Sequence, residues 1–248
     1  MVELRRAVAP VLPLRLFRDR TVLLATGAAA FMGTAMFASS LYPTQYFQLA
    51  RGMSATASGL MTVSTVGALG LASVVSGRAI SARGRWKPWL LGGAVLLLVG
   101  VVLLGTVRTS TPLGLVGAYL FVLGLGIGVT SQNLVVAVQN NVELQHVGSA
   151  SGLVSFFRSM GGAIGVCVMG AVLTARTSAH LSETIAHAGP ADVTGPVPDA
   201  GTIPDLAALH SETRSAYGDA FGTAFGEIFF LIAPLALAGI LCLASIRA

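Results

Sequence analysis

The chain has 248 residues, of which 54% are hydrophobic and only 10% charged, and its mean hydropathy is +0.79. Soluble domains carry about 25% charged residues, so a water-facing globular surface is excluded and a bilayer is the expected solvent. The formal charge of +5 does not indicate nucleic acid, because the basic residues flank apolar runs instead of forming a stripe with interleaved aromatics.

A helix needs roughly 20 apolar residues to cross the hydrocarbon of a membrane. Residues 1–20 form a basic segment with Arg5, Arg6, Arg15, Arg18 and Arg20, broken by Pro10 and Pro13 and without a signal-peptide pattern. Spans one to five then occupy 21–175: 21–49, 55–80, 88–107, 112–141 and 148–175. A long connection, 176–221, follows, with GPADVTGPVPDAGTIP at its Pro- and Gly-rich centre and DLAALHSETRSAYGDAF as a short amphipathic lead-in. The sixth span is 222–246, within the last segment, 222–248. Cys167 and Cys242 both fall in apolar runs and read as small apolar fillers.

Orientation follows the Lys and Arg of short loops. The N-terminal arginines share a side with Arg78, Arg83, Arg85 and Lys87 of the loop after span two, and with Arg247. The other side has Arg51, Arg108, Arg176 and Arg214. Both termini are therefore expected in the cytoplasm of a multi-pass plasma-membrane protein, with the acid-rich 176–221 connection outside.

VLPLRLFRDRTV (11–22), YFQLARGMSATASGL (46–60), SGRAISARGRWKPWLLGG (76–93), LGLGIGVTSQNLVVAVQNNV (123–142) and GSASGLVSFFRSMGGAIGVCVMGAVL (148–173) resemble, in order, the carboxyl half of fourteen-helix drug–proton antiporters. This is the EmrB/QacA-type branch of the major facilitator superfamily. The resemblance implies an all-α membrane fold of six helices, one three-plus-three inverted repeat, with spans one to three and four to six related by a pseudo-two-fold in the membrane plane. It implies proton-coupled efflux of lipophilic molecules, driven by the proton gradient with no bound cofactor. The partners implied are the lipid bilayer, a small lipophilic substrate, and an amino-terminal half or a second copy. The alternative is a truncated, non-transporting fragment that needs an amino half. The loop GRAISARGRWK is similar to the superfamily's basic cytoplasmic motif through Gly77, Gly84 and Arg85. Ser81 and Ala82 replace its acid and first base, and Lys87 falls one place late. With Arg78 and Arg83, these cations also read simply as a topology anchor.

Arg158 is the one charge between Glu143 and Arg176. A bare arginine at the bilayer centre costs from about 3 to over 10 kcal/mol, so it is expected to face the bundle interior. Counting outward from the turn near 145–146 sets Asn133 and Gln132 at its depth on the neighbouring span. Arg158 is read either as a clamp between spans four and five or as a contact for substrate or for a carboxylate of the other half. Gln132 and Asn133 line a substrate path or bond neighbouring helices. Phe31, Met36 and Phe37 offer soft apolar surface to a lipophilic substrate or are ordinary packing.

Gly124, Gly126 and Gly128 lack the strand-turn-helix setting of a phosphate loop. Gly124 with Gly128, and Gly161 with Gly165, instead read as close-packing pairs. Glu227 is the one acid inside a span, about a turn from its external end, which makes it a poor proton carrier. The coupling acid is therefore expected in the amino half. His146, His180, His187 and His210 are expected in loops, too dispersed for a metal. Without a histidine in a span, the GSASG of 148–152 gains no base for serine chemistry, and no enzyme is expected.

Overall fold

The computed structural model describes residues 20–140, 142, 146–188 and 211–245. They form six long helices: α1 (Arg20–Gln45), α2 (Ala55–Arg83), α3 (Lys87–Gly105), α4 (Leu113–Gln139), α5 (Val147–Ala188) and α6 (Ser211–Ala244), with no strand among the described residues. All six are long and apolar enough to cross a membrane. Even the 19 residues of α3 reach about 28 Å at 1.5 Å per residue, the thickness of a hydrocarbon core. We call the end of the bundle that carries Arg20 proximal and the opposite end distal.

Local chemistry marks several helix ends. Ser54 caps α2, its Oγ accepting from the Ala57 amide at 3.3 Å. Gly84 ends α2 in a left-handed conformation, φ 65°, and its amide donates to the Ile80 carbonyl. Pro88 stands in the first turn of α3, where no amide hydrogen is needed. In α1, Pro43 has no N–H for the Ser39 carbonyl, and the helix then widens into a π-helical turn over Tyr46–Ala50.

Most of the packing follows the symmetry of an inverted repeat; the exception is α5 on α6, which has at most a weak α2–α3 counterpart. α1 lies along α5 as α4 lies along α2; α4 also packs on α3 as α1 packs on α6; α3 meets α6. Exchanging the first three helices for the last three maps each of these contacts onto another or onto itself. In lipid there is no hydrophobic drive between helices, so close backbone approach supplies the attraction. Gly161 of α5 lies on the Ala30 backbone of α1, and Gly165 on Thr34. Gly124 and Gly128 of α4 lie on the carbonyls of Thr65 and Leu69 of α2. Gly126 lies on Leu97 of α3, and Gly218, Gly222 and Gly226 of α6 face Ala50, Thr109 and Arg108.

The distal half holds an aromatic core, with the Tyr46 and Phe225 rings 4.7 Å apart and Phe225 4.9 Å from Phe229. The proximal half is aliphatic, built on Val22, Leu90, Leu134, Val154 and Leu243. Only 17% of the most apolar stretch of α2 and of α5 is buried, against 33–61% for the other four helices.

Several boundaries differ from expectation. α5 continues thirteen residues past 175, to Ala188, and α6 begins at Ser211 instead of 222. Both helices therefore run into the 176–221 segment, and the amphipathic lead-in from Ser211 onward is continuous with α6. A helix needs no break where hydrocarbon ends, because charged side chains at its ends reach the headgroups while the backbone stays bonded. His180 consequently lies on α5, which corrects its placement in a loop. His187 is also within α5, His146 immediately precedes it, and His210 falls outside the described residues, as do 1–19 and 189–210.

Candidate functional site

Arg158 is on α5, eleven residues after Val147, which puts its Cα about 16 Å from the start of the helix and near the middle of a 30 Å core. Gly33 of α1 admits the α5 backbone at this level: a side chain there would strike the Arg158 carbonyl. One turn on, Thr34 Oγ1 donates to the Gly161 carbonyl at 3.0 Å. The two helices are thus locked together at the residue that carries the charge.

The guanidinium reaches α4, where Nη1 donates to the main-chain carbonyl of Ser131 at 3.3 Å. That oxygen has a second lone pair beyond its helical bond, so the contact costs α4 nothing. Met32 and Met36 of α1, Leu97 of α3, and Ile127, Thr130, Ser131 and Leu134 of α4 complete a cleft of about 10 Å³, close to the space one water needs. Ser131 Oγ faces Met36 Sδ at 3.9 Å, and Thr130 Oγ1 is turned back onto the Gly126 carbonyl. A cation, two thioethers and a main-chain dipole therefore meet where four helices converge.

The structure places the expected site residues unevenly. Arg158 and Met36 line the cleft. Asn133 matches the depth of Arg158 but not its direction: it is 1% exposed, and its Nδ2 has no partner among the described residues. Ser131 and Asn133 are about 200° apart around α4, so when one faces α5 the other faces α3. Gln132 is exposed. Phe31 lies near Gly239 of α6, and Phe37, 40% exposed, lies on Gly162 of α5. In the basic loop Arg78, Arg83 and Arg85 are exposed and Lys87 half-buried. Gly77 has open space around it, so it supports no close helix contact within the described residues, whereas Gly84 is needed for its backbone angle.

Two features escaped the sequence reading. The Ser131 carbonyl is a main-chain group and carries no residue-type signal. The second is an ion cluster at the distal end, where Arg176 and His180 of α5 flank Glu227 of α6. Arg176 and His180 are spaced i, i+4, one helix face, a signal visible only once that segment is read as helix. Among the described residues no cluster of His, Cys, Asp and Glu has the makings of a metal site.

Six apolar helices in an inverted repeat, with a charge held at mid-depth, define the class: a helical membrane transport protein. The sequence profile of the Major Facilitator Superfamily matches residues 2–166, and the chain belongs to that family. It is a family of transporters, not enzymes. An MFS-type transporter of Mycobacterium tuberculosis is 31% identical over 245 residues, 98% of this chain and 34% of that relative. The multidrug transporter protein MdtP of Bacillus subtilis is 28% identical over 73% of this chain and 33% of its own length. The tetracenomycin C resistance and export protein of Streptomyces glaucescens is 28% identical over 94% of this chain and 46% of its own. The crystal structure of a bacterial homolog of the human lysosomal transporter Spinster, inward-facing and unoccupied, shares the fold with a TM-score of 0.67 at 13% identity, covering 93% of this chain and 49% of that one. The chain thus spans about a third to a half of the length of the relatives it matches.

Proposed function

We propose that this chain is the carboxyl half of a fourteen-helix, EmrB/QacA-type exporter that moves lipophilic small molecules out across the plasma membrane in exchange for protons. The observation that carries this reading is the cleft: a guanidinium at mid-membrane depth, met by one long main-chain hydrogen bond and flanked by methionines. Methionine packs against many shapes, which suits a site for varied apolar cargo. Arg158 both ties α5 to α4 and presents its remaining donors to the cleft. The proximal face, with the basic loop, is cytoplasmic in this reading. The acid that carries the coupled proton belongs to the amino half.

That half docks on α2 and α5. On α2, Gly59, Gly67, Gly70 and Gly77 have nothing within 4 Å of where a Cβ would stand, and Leu60, Val63, Val66 and Val74 are exposed. These glycines are free for an incoming helix. That the chain spans so little of its relatives' length also favours a second reading, a fragment inert alone.

The test is dye efflux from cells that express the chain alone or together with an amino half from a full-length relative. Export is expected only from the pair, and Arg158→Ala is expected to abolish it while membrane expression stays detectable. Wild-type export by the alanine variant refutes the role of Arg158. Failure of the pair to export under any pairing supports the inert fragment.

A further inference from the structure

Glu227 is 31% exposed at the side chain, partly withdrawn from solvent. It lies sixteen residues into α6 and turns toward α5. His180 Nε2 is 3.0 Å from its Oε1, and Arg176 Nε is 3.5 Å from its Oε2. Oε2 is closed off from water and has no hydrogen-bond partner among the described residues. The carboxylate is thus held between two groups of one neighbouring helix, with one oxygen bonded and the other facing only a cation.

We propose that Arg176, His180 and Glu227 form a proton-binding clasp that ties the distal end of α5 to α6 and tightens when a proton from bulk water settles on His180. Imidazole is the side chain that ordinarily changes charge between about pH 5 and pH 8. Neutral, it offers Glu227 an N–H···O bond; protonated, it adds the attraction of a charge pair to that bond. The clasp is therefore firmer on the acid side of the imidazole titration. It loosens when His180 gives up its proton.

The charged and titratable surroundings support this assignment. On α5, Glu183 stands about a turn beyond His180. From the α3–α4 turn, Arg108 Nη1 lies against Gly226, next to Glu227, and donates to the Val107 carbonyl at 3.0 Å. On α6, Asp219 is two turns away and accepts from Thr109 Oγ1. Just past the π-helical turn that follows α1, the Arg51 guanidinium bonds the Thr109 carbonyl. Arg51, Arg108 and Asp219 are thus engaged with the α3–α4 turn, and among the described residues His180 is the imidazole beside Glu227.

The whole chain in lipid nanodiscs is examined by hydrogen–deuterium exchange. Peptides from distal α5, residues 171–184, and distal α6, residues 213–230, are followed between about pH 8 and about pH 6 and corrected for the chemical exchange rate. In the wild type, local opening at pH 6 is expected to be roughly two- to fivefold rarer, the range for a partly exposed charge pair. His180→Gln is expected to lose this step. His180→Lys, with a permanent charge, is expected to be protected at both pH values. Glu227→Gln is expected to open readily at both. A wild type without the step, or a His180→Gln or His180→Lys chain that keeps it, overturns the clasp. Unchanged exchange in α3 certifies each fold, and if one variant fails that check the other two decide. The readout needs no transport, so it stands or falls apart from the export reading.

Discussion

Replacing Gly161 by alanine tests the close approach that holds the cleft together. A methyl group there would lie 2.6 Å from Ala30 Cα and 2.7 Å from its carbonyl carbon, where ordinary contact begins at 3.4 Å. The Ala30 carbonyl oxygen is closer still, so the shortfall exceeds 0.8 Å and falls on backbone, which has no rotamer to yield; α1 and α5 must part by at least that much. Overpacking of this kind costs typically 1–3 kcal/mol, and a backbone-on-backbone clash belongs near about 3, roughly a 150-fold change in the folding equilibrium. Separation also stretches the bond from Thr34 to the Gly161 carbonyl, now 3.0 Å, and shifts the guanidinium relative to Ser131. The assay is reversible unfolding in mixed micelles, with Gly152→Ala as the control on the same helix, since nothing lies within 4 Å of that position. Gly152→Ala is expected to match wild type or exceed it by up to about 1 kcal/mol, the gain in helix propensity. Equal stability of the two variants would refute the idea that glycine contacts hold α1 against α5.

Asn133→Leu is expected to leave stability unchanged or raise it by about 1 kcal/mol in the same unfolding assay, because the buried amide nitrogen has no partner to lose. A loss of more than about 2 kcal/mol would show that the amide is bonded after all. Gly84→Ala is expected to cost about 1 kcal/mol, since a Cβ is strained at φ 65° even with open space around it; exchange at the C-terminal turn of α2 is the local readout. Tyr42→Phe removes the 2.6 Å bond from its hydroxyl to the Val166 carbonyl and is expected to cost about 0.6 kcal/mol, measured by unfolding.

The number and order of the helices were legible in the sequence, because apolar runs bounded by charge are what a bilayer demands. Their ends were less so. Arg176 and Glu183 looked like the start of a loop, yet helical hydrogen bonding continues through them to Ala188. The depth of Arg158 could be counted at 1.5 Å per residue, but its partner could not, since which face α4 turns to α5 depends on packing. Gly126 illustrates the same limit: its spacing with Gly124 and Gly128 does not reveal that it serves α3 while they serve α2. The triplet Gly218, Gly222 and Gly226 was hidden because the boundary at 222 left Gly218 in the connector and apart from the other two.

At the distal end, Tyr46 donates to the Arg108 carbonyl, Arg51 grips that of Thr109, Thr109 reaches Asp219, and the rings of Tyr46 and Phe225 touch. The tip of α1, the α3–α4 hairpin and the head of α6 are bolted into one plate. Whatever rocking the membrane cycle asks of α1 is then left to its shaft, and Pro43, just beneath the plate, is the natural elbow.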